Sequence, residues 1–499
     1  MQVKLVLSAA TLLLCPVSLL PAQTATSAPP ATTALTVSPE TRSAVRELVG
    51  DTIVDGQAYE YDEHLADMIG PRLTGSANYM KAAAWAEEQF KALGLSNVHT
   101  EEWMIPATWE PDGPAVGKIM SPVEHNLHIY SLGWSPSTPE GGVEGQVLYI
   151  HSLATADLDR EKDKIAGGIA LIDHESFGPN PDFVQLLQGL EHLQEIGPKA
   201  ILVVGGPKGT ENMFSLSLDA KIAPIPEAQI GLEDTLLIKR LLEQGPVSVS
   251  FSFRNITRTD VKIPNVIAEI PGSEDPKSVV IVGAHLDSWQ PGTGAQDNGT
   301  GVATVLETAR AMMALHRPPR RTVRFILFGG EEEGLLGSVA YVRAHLAELP
   351  DIDAVLISDT GAEPAKGWYL MGREDEKNPL AGIKPLLTGL GGDGIDSDTR
   401  FLFQTDHIGF DVLGVPSLVL WTETDKYETL HHKASDTFDS VVQKDLNQGV
   451  AVVAATAYAI ADSKDSFAPH LNADQVAAML KASGHLDDYK ALKKDGALP

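Results

Sequence analysis

The sequence predicts an α/β fold built around a mostly parallel β-sheet, and three apolar segments separated by helical patterns carry this prediction. Residues 278–284 (SVVIVGA), 322–328 (TVRFILF) and 354–358 (AVLIS) are continuous apolar runs, which are typical of strands buried on both faces. An amphipathic helical pattern that ends near Leu315 separates the first two runs, and a second helical pattern precedes the third. Alternating strand and helix periods are typical of a parallel sheet with crossover helices.

Acidic and imidazole side chains follow each of the three predicted strands. In chain order they are His285, Asp287, Asp297, Glu331, Glu332, Glu333 and Asp359. Ligands of parallel α/β sheets bind at the carboxyl ends of the strands. Buried carboxylates are unfavourable unless they are paired or bind a metal. The sequence therefore predicts a divalent metal site at this edge of the sheet.

Five side chains form the predicted ligand set of two neighbouring metals. We assign His285, Asp297 and Asp359 to the first metal, and Asp297, Glu332 and His432 to the second. Asp297 then bridges the two metals, because ions about 3.5–4 Å apart need a shared carboxylate. Nitrogen and oxygen ligands favour two Zn²⁺ ions, which Mn or Co could replace on geometry alone.

Neighbouring residues receive supporting roles in the same hypothesis. Glu331 is the predicted general base, because adjacent side chains at a strand end diverge and one of them can face the water. Asp287 is predicted to hold the ring of His285, and His431 to donate to the developing oxyanion. Asp406 is a weaker candidate for a supporting contact.

Each of these residues has an ordinary explanation when it is taken alone. A single histidine is more often a surface or core residue than a ligand, and residues 331–333 could be a solvated charge run. The H-x-D pattern at His285 also recurs by chance. The conjunction of several such residues, each near a strand end, favours the metal site.

Composition excludes several classes of partner. The chain has 499 residues, 43% of them hydrophobic, and 38 Lys and Arg against 67 Asp and Glu give a net charge of −29. Nucleic acids and anionic membranes attract basic patches, so we expect neither as a partner. The length exceeds that of one ordinary domain.

The order of segments predicts an exported protein with an insertion in its main domain. The predicted segments are a signal peptide (1–23), a linker (24–39), the first part of the main domain (40–115), an insert (116–255), the metal-binding core (256–465) and a helical tail (466–499). A charged residue, an apolar run and small residues for cleavage are typical of export signals. We therefore expect a secreted or periplasmic protein. Its one cysteine, Cys15, lies inside the signal.

Seven sequence motifs resemble the co-catalytic di-zinc aminopeptidase and carboxypeptidase family, most closely its carboxypeptidase Q branch. They are HLDSW (285–289), GAQDNGTG (294–301), GEEEGLLGS (330–338), SDTG (358–361), Thr405-Asp406, Gly414-Val415-Pro416 and HHKASDT (431–437), with GPRLTGS (70–76) similar to an N-terminal signature. The resemblance implies a phosphorylase/hydrolase-like three-layer sandwich around a mixed sheet and a protease-associated insert. It also implies a cis peptide between Asp297 and Asn298.

The resemblance implies a di-zinc exopeptidase that acts on short, unblocked peptides. The sequence leaves open whether the enzyme is a dipeptidase, an aminopeptidase or a carboxypeptidase, and whether it forms a homodimer. A single-zinc glutaminyl cyclase of the same fold would not need His285 together with Asp297 and Asp359. A non-catalytic receptor homologue would have lost ligands or the base, whereas this chain keeps Glu331.

Overall fold

The computed structural model describes residues 32–178, 183–207, 214–216, 220–494 and 496–499. The predicted signal peptide, Cys15 and the first part of the predicted linker lie outside these residues. None of the helices in the described ranges combines the length and the apolarity that crossing a bilayer requires.

Strands and helices alternate through most of the described chain. The strands are β1 Ser96–Pro111, β2 Val116–Ser121, β3 His125–Asn126, β4 Ile129–Ser131, β5 Val143–Tyr149, β6 Ile169–Ile172, β7 Ala200–Val204, β8 Glu227–Ile230, β9 Ser248–Ser252, β10 Asn255–Ile270, β11 Asp275–His285, β12 Arg321–Phe328, β13 Ile352–Ile357, β14 Ala365–Tyr369, β15 Gly394–Asp396 and β16 Ser417–Thr422. The helices are α1 Pro39–Val54, α2 Ala58–Glu63, α3 Ala77–Ala92, α4 Thr155–Ile165, α5 His174–Phe177, α6 Phe183–Ile196, α7 Leu232–Leu242, α8 Thr300–Ala314, α9 Leu336–Ala344, α10 Lys377–Leu387, α11 Ile408–Asp411, α12 Tyr427–Leu430, α13 Gln443–Ala461, α14 Ala473–Ala482 and α15 Leu486–Lys494. Short π-helical turns cover His64–Ile69 and Ala295–Gly299.

The large sheet contains the three strands on which the fold prediction rested. Its order is β1-β10-β12-β11-β13-β16-β14-β15. Strand β11 pairs in parallel with both β12 and β13, and β13 pairs in parallel with β16. The pairs β1–β10, β10–β12 and β14–β16 are antiparallel. The α/β prediction with a mixed, mostly parallel sheet is confirmed.

Helices cover both faces of this sheet, which gives three layers. Along β11, Val280 and Val282 belong to the core shared with α1, α3, α8 and α13. The intervening Ile281 belongs to a second core shared with α9, α11 and α14. Alternate residues of a strand point to opposite faces, so an all-apolar segment predicts a strand in the middle layer. The predicted helical tail forms α14 and α15, and its Leu480 is fully buried.

A second sheet is formed by strands between Val116 and Ser252, in the order β3-β2-β9-β5-β6-β7-β8-β4. The sequence predicted β5, β6 and β7, which pair in parallel. It did not predict β2, β3 and β4, which lie in the Pro- and Gly-rich stretch 109–141. These strands have two to six residues, too few for their periodicity to stand out from the neighbouring turns.

Candidate metal centre

Three neighbouring strands bring three of the five predicted ligands to one edge of the large sheet. His285 is the last residue of β11 and lies opposite Phe328, the last residue of β12. Glu331 and Glu332 follow β12, and Asp359 follows β13 by two residues. Because β12, β11 and β13 are adjacent and parallel, their carboxyl ends meet at the same edge.

His285 is the centre of the first group of ligands. Its Nε2 lies 3.0 Å from Oδ1 of Asp359 and 3.3 Å from Oδ1 of Asp297. The imidazole is 1% exposed. Three side chains from separate parts of the chain therefore converge within a distance that one metal ion can span.

His432 is the centre of the second group. Its Nε2 lies 2.8 Å from Oε2 of Glu332 and 3.5 Å from Oδ2 of Asp297. Asp297 thus faces the two imidazoles with different carboxylate oxygens, Oδ1 toward His285 and Oδ2 toward His432. This is the arrangement expected of a carboxylate that bridges two ions.

His431 lies directly beside the ligand cluster. Its Nε2 is also 3.5 Å from Oδ2 of Asp297, and its ring stacks on His432 with centroids 3.8 Å apart. His432 has a positive φ of 55°, an uncommon conformation that occurs at functional sites. Asp297, His431 and His432 together offer ligand atoms within 4.8 Å of one another, as do His285, Asp297 and Glu332.

Unpartnered carboxylate oxygens indicate that the cluster fits metal ions. Oδ2 of Asp297 and Oε1 of Glu332 are buried and have no hydrogen-bond donor among the described residues. Every ion pair that the described residues form with Asp297, Glu332 or Asp359 comes from a histidine. Buried carboxylates need a compensating cation, so the donor set suits divalent metals with imidazole and carboxylate ligands.

The pKa values of the clustered acids reflect this excess of negative charge. Burial, together with Asp359, Glu332 and Asp406, raises the pKa of Glu331 well above its usual value, and His285 opposes the shift. The pKa of Asp297 is lowered overall. Burial acts to raise it, but the hydrogen bond from His285 and the charges of His431 and His432 have the larger effect. The three histidines therefore favour the ionised form of the bridging carboxylate.

Asp287 contacts His285 mainly through its backbone. Nδ1 of His285 lies 3.1 Å from the carbonyl oxygen of Asp287 and 3.7 Å from its carboxylate Oδ1. The other carboxylate oxygen accepts hydrogen bonds from Thr74 Oγ1 at 3.0 Å and from the Glu332 backbone N–H at 3.2 Å. Asp287 thus links both metal groups, since one end of it fixes a ligand ring and the other fixes the chain at Glu332.

Two acids near the cluster are more buried than their sequence context suggests. Glu333 is 4% exposed, so residues 331–333 are not a solvated charge run. Asp406 is fully buried, and burial raises its pKa to about 7, against a lowering by the charge of His285. Asp406 therefore lies within the electrostatic reach of the first group of ligands.

Sequence reasoning missed Arg72, which holds the loop between two ligands. Its fully buried guanidinium donates to the carbonyl oxygens of Leu286 (3.0 Å), Thr293 (2.8 Å) and Gly294 (2.9 Å). This loop joins His285 to Asp297. Arg72 belongs to the GPRLTGS motif, which signalled a resemblance but gave no indication of this contact.

Asp436 was also missed, although it lies in the HHKASDT motif. Its carboxylate accepts hydrogen bonds from the backbone N–H groups of Gln296 (2.8 Å) and Asp297 (3.1 Å). It therefore holds the backbone of the bridging ligand. The Asp297–Asn298 peptide is cis, as the resemblance implied.

Comparison with known proteins identifies the family. The sequence pattern of Peptidase family M28 matches residues 265–457, the segment that contains all five predicted ligands. Carboxypeptidase Q of Mus musculus is 30% identical over 422 residues, which cover 81% of this chain and 86% of the relative. The chain belongs to peptidase family M28.

The chain is also similar to an aminopeptidase and to a solved M28 structure. Aminopeptidase YwaD of Bacillus subtilis is 27% identical over 471 residues and covers 91% of each chain. The crystal structure of a peptidase M28 precursor from Shewanella amazonensis superposes with a TM-score of 0.74 at 29% identity, covering 87% of this chain and 99% of that one. The similarity extends over most of the chain. The similar proteins include both an aminopeptidase and a carboxypeptidase.

Proposed function

We propose that the protein is a di-zinc exopeptidase that hydrolyses short, unblocked peptides. One observation carries the proposal: Asp297 faces two imidazoles with two different oxygens, at 3.3 Å from His285 and 3.5 Å from His432. His285, Asp297 and Asp359 would hold one zinc, and Asp297, Glu332 and His432 the other. Relatives and fold neighbours support the choice of metal, since one neighbour at 23% identity is described as a zinc aminopeptidase of Bacillus subtilis.

Bound zinc would supply Lewis-acid chemistry that polarises the peptide carbonyl and acidifies water. Glu331 lies next to the ligand Glu332 and is only partly exposed, which supports its role as the general base that takes a proton from the attacking water. The same carboxyl then gives the proton to the leaving amine. His431, which is 46% exposed beside Asp297, is a donor for the oxyanion that develops on the substrate carbonyl.

The proposal includes export and an inserted domain. Residues 1–23 have the pattern of a signal peptide, and one relative at 26% identity is named a probable lipoprotein aminopeptidase of Mycobacterium tuberculosis. Residues 116–255 would form a protease-associated insert, which is supported by the second sheet between Val116 and Ser252. Mn or Co would replace zinc without loss of the ligand geometry.

The experiment that tests this proposal compares the wild-type protein with Glu331→Gln after loading with zinc. The substrates are a dipeptide, the matching dipeptide amide, an amino-acid amide and an N-acetylated dipeptide. We expect hydrolysis of at least one unblocked substrate, slow hydrolysis of the acetylated one if the amino end is read, and a loss of kcat on the order of 10²–10⁴-fold in the variant. Failure of the wild type to hydrolyse any substrate, or an equally active Glu331→Gln protein, would contradict the proposal.

A further inference from the structure

A small cavity beside the metal ligands is lined by an indole ring as well as by ligands. The cavity measures ≈ 10 Å³, and its walls are Trp289, Gly292, Asp297, His432, Lys433 and Asp436. A cavity of this size has room for about one water molecule or one polar atom of a ligand. Because Asp297 and His432 belong to the proposed metal site, an atom that enters the cavity lies next to two proposed metal ligands.

Trp289 lines this cavity and also carries an unpaired hydrogen-bond donor. Its side chain is 6% exposed, and its Nε1 is buried without a hydrogen-bond partner among the described residues. Buried donors nearly always have a partner, and leaving one unpaired costs about 1–3 kcal/mol. A donor that is unpaired in the free protein is therefore a candidate for pairing with a ligand.

The second-sheet region fixes the orientation of this indole. A Cβ atom added at Gly133 would lie 2.9 Å from Cζ3 and 3.0 Å from Cη2 of Trp289. These two atoms form the edge of the indole opposite the pyrrole ring that carries Nε1. Trp134 packs edge-on against the same indole, with centroids 6.1 Å apart and an interplanar angle of 87°. On the metal side, the ring of His432 lies at a centroid distance of 6.1 Å.

The segment that supports Trp289 is itself tied down. Nε1 of Trp134 donates to the carbonyl oxygen of Ala107 at 2.9 Å, and the carbonyl oxygen of Trp134 accepts from the backbone N–H of Ala223 at 2.9 Å. The hydroxyl of Ser215 donates to the carbonyl oxygen of Gly133 at 3.0 Å. The indole is therefore held before any ligand arrives, which is the condition for a donor to discriminate between ligands.

We propose that the indole N–H of Trp289 donates a hydrogen bond to an oxygen of the bound peptide, and that Gly133 and Trp134 position the ring for this contact. The inference rests on the proposed peptidase function. No acceptor of the described residues lies within hydrogen-bond distance of this N–H, so an oxygen of the bound peptide is the partner that we infer. A peptide carbonyl and a terminal carboxylate both supply such an oxygen.

The test uses Trp289→Phe, which keeps an aromatic ring and removes the N–H, in the full-length zinc-loaded enzyme. We expect kcat/KM to fall about tenfold, the equivalent of one hydrogen bond, while zinc affinity measured by chelator competition stays within twofold. A fall for a dipeptide but not for its amide assigns the acceptor to the terminal carboxylate. An equal fall for both assigns it to a peptide carbonyl. Unchanged kcat/KM for both substrates, or a parallel loss of zinc affinity, would overturn the inference.

A matched control and a second variant complete the experiment. Trp368→Phe removes another buried indole N–H, which lies on β14, three strands from β11, and donates to Thr456 Oγ1 at 3.1 Å. We expect this control to lower Tm and to leave kcat/KM within twofold. Gly133→Ala keeps the N–H of Trp289 but displaces the ring, so we expect kcat/KM to fall at least threefold with zinc affinity retained. Unchanged kinetics in Gly133→Ala would contradict the positioning role, and this variant decides the matter if Trp289→Phe does not fold.

These outcomes differ from those that test the peptidase function itself. A wild-type protein that hydrolyses no peptide refutes the proposed function. A wild-type enzyme that is active, with Trp289→Phe equally active, refutes only the role of the indole.

Discussion

Buried acids gather at both edges of the large sheet, and the comparison of the two clusters separates a structural role from a chemical one. At the amino end of β16, Asp375, Glu376 and Asp411 surround the fully buried guanidinium of Arg373. At the carboxyl ends of β11, β12 and β13, the ligand carboxylates pair with three histidines and form no ion pair with a guanidinium or ammonium group of the described residues.

The amino-edge cluster supplies its own cation and ties chain segments together. Arg373 forms hydrogen bonds to Asp375 at 2.9 and 3.1 Å and to the carbonyl oxygens of Gly414 and Pro469. Glu376 accepts from the Ser417 backbone N–H at 3.0 Å. Arg373 is therefore the counter-ion of this cluster, although both carboxylate oxygens of Asp411 and Oε2 of Glu376 accept no hydrogen bond from the described residues. The ligand carboxylates of the carboxyl-edge cluster instead have only histidines as ion-pair partners within the described residues, so a cation from solution must complete this cluster.

The largest expected effect comes from removing the bridging charge. Asp297→Asn keeps the size of the side chain but weakens both metal groups, so we expect kcat to fall on the order of 10³-fold and bound zinc to drop well below two per chain. The matched control is Asp411→Asn in the amino-edge cluster, which should keep kcat/KM within twofold. Metal analysis and steady-state kinetics check both variants, and equal losses in the two would end the distinction between the clusters.

Removing the built-in cation should act on stability alone. Arg373→Met leaves the carboxyl groups of Asp375, Glu376 and Asp411 without their counter-ion, and breaking such a network is expected to lower the free energy of unfolding by about 3–5 kcal/mol. Urea denaturation measures this loss. Zinc affinity should remain at the wild-type value, because no metal ligand contacts Arg373. A destabilisation below about 1 kcal/mol would show that the amino-edge cluster is not a structural ion network.

A guanidinium also supports the metal edge, but it binds carbonyl groups rather than acids. Arg72→Lys keeps the charge and loses the fork that reaches the carbonyl oxygens of Leu286, Thr293 and Gly294. We expect zinc affinity to fall roughly tenfold, as for other groups that orient ligands indirectly. Chelator competition at fixed pH is the measurement. An unchanged zinc affinity would mean that the loop holds its shape without Arg72.

Glu227 in the second sheet is a buried acid outside both clusters, and it shows what burial does to a carboxyl group without a charged partner. Burial raises the pKa of Glu227 to about 7, and the hydrogen bond from Gln194 offsets part of the shift. Between about pH 4.3 and 7 the unfolded chain loses this proton first, so stability falls as pH rises.

Glu227→Gln should therefore stabilise the protein by about 1–3 kcal/mol at pH 8 and by much less at pH 4. The difference in unfolding free energy between variant and wild type at the two pH values isolates this group from the metal site. A stabilisation of equal size at both pH values would contradict a raised pKa for Glu227.

The sequence predicted the core of the sheet and the ligands because both depend on local patterns. The runs that became β11, β12 and β13 are mainly apolar, His285 and Asp359 directly follow two of these runs, and Glu332 comes four residues after the third. Strands of two to six residues, such as β2 to β4, carry no comparable period. The ligand roles themselves remain predictions, although the geometry brings all five side chains together.

The contacts that the sequence did not predict join residues that are far apart in the chain, and no local sequence pattern marks them. Arg72 reaches carbonyl groups more than two hundred residues away along the chain, and backbone acceptors leave no signal in the sequence. The burial of Glu333 likewise follows from the packing of the strand end against residues such as Thr74 and Asp287. The unpaired indole of Trp289 becomes visible only when its neighbours are known.

The most direct test of the account is the amount of zinc bound per chain in wild type, His285→Ala and His432→Ala, measured by elemental analysis after dialysis against a fixed free-zinc concentration. The account predicts two ions in the wild type and about one in each variant, because each histidine belongs to a different metal and Asp297 joins the two. A wild-type protein that binds one ion, lost in one variant and fully retained in the other, would contradict it.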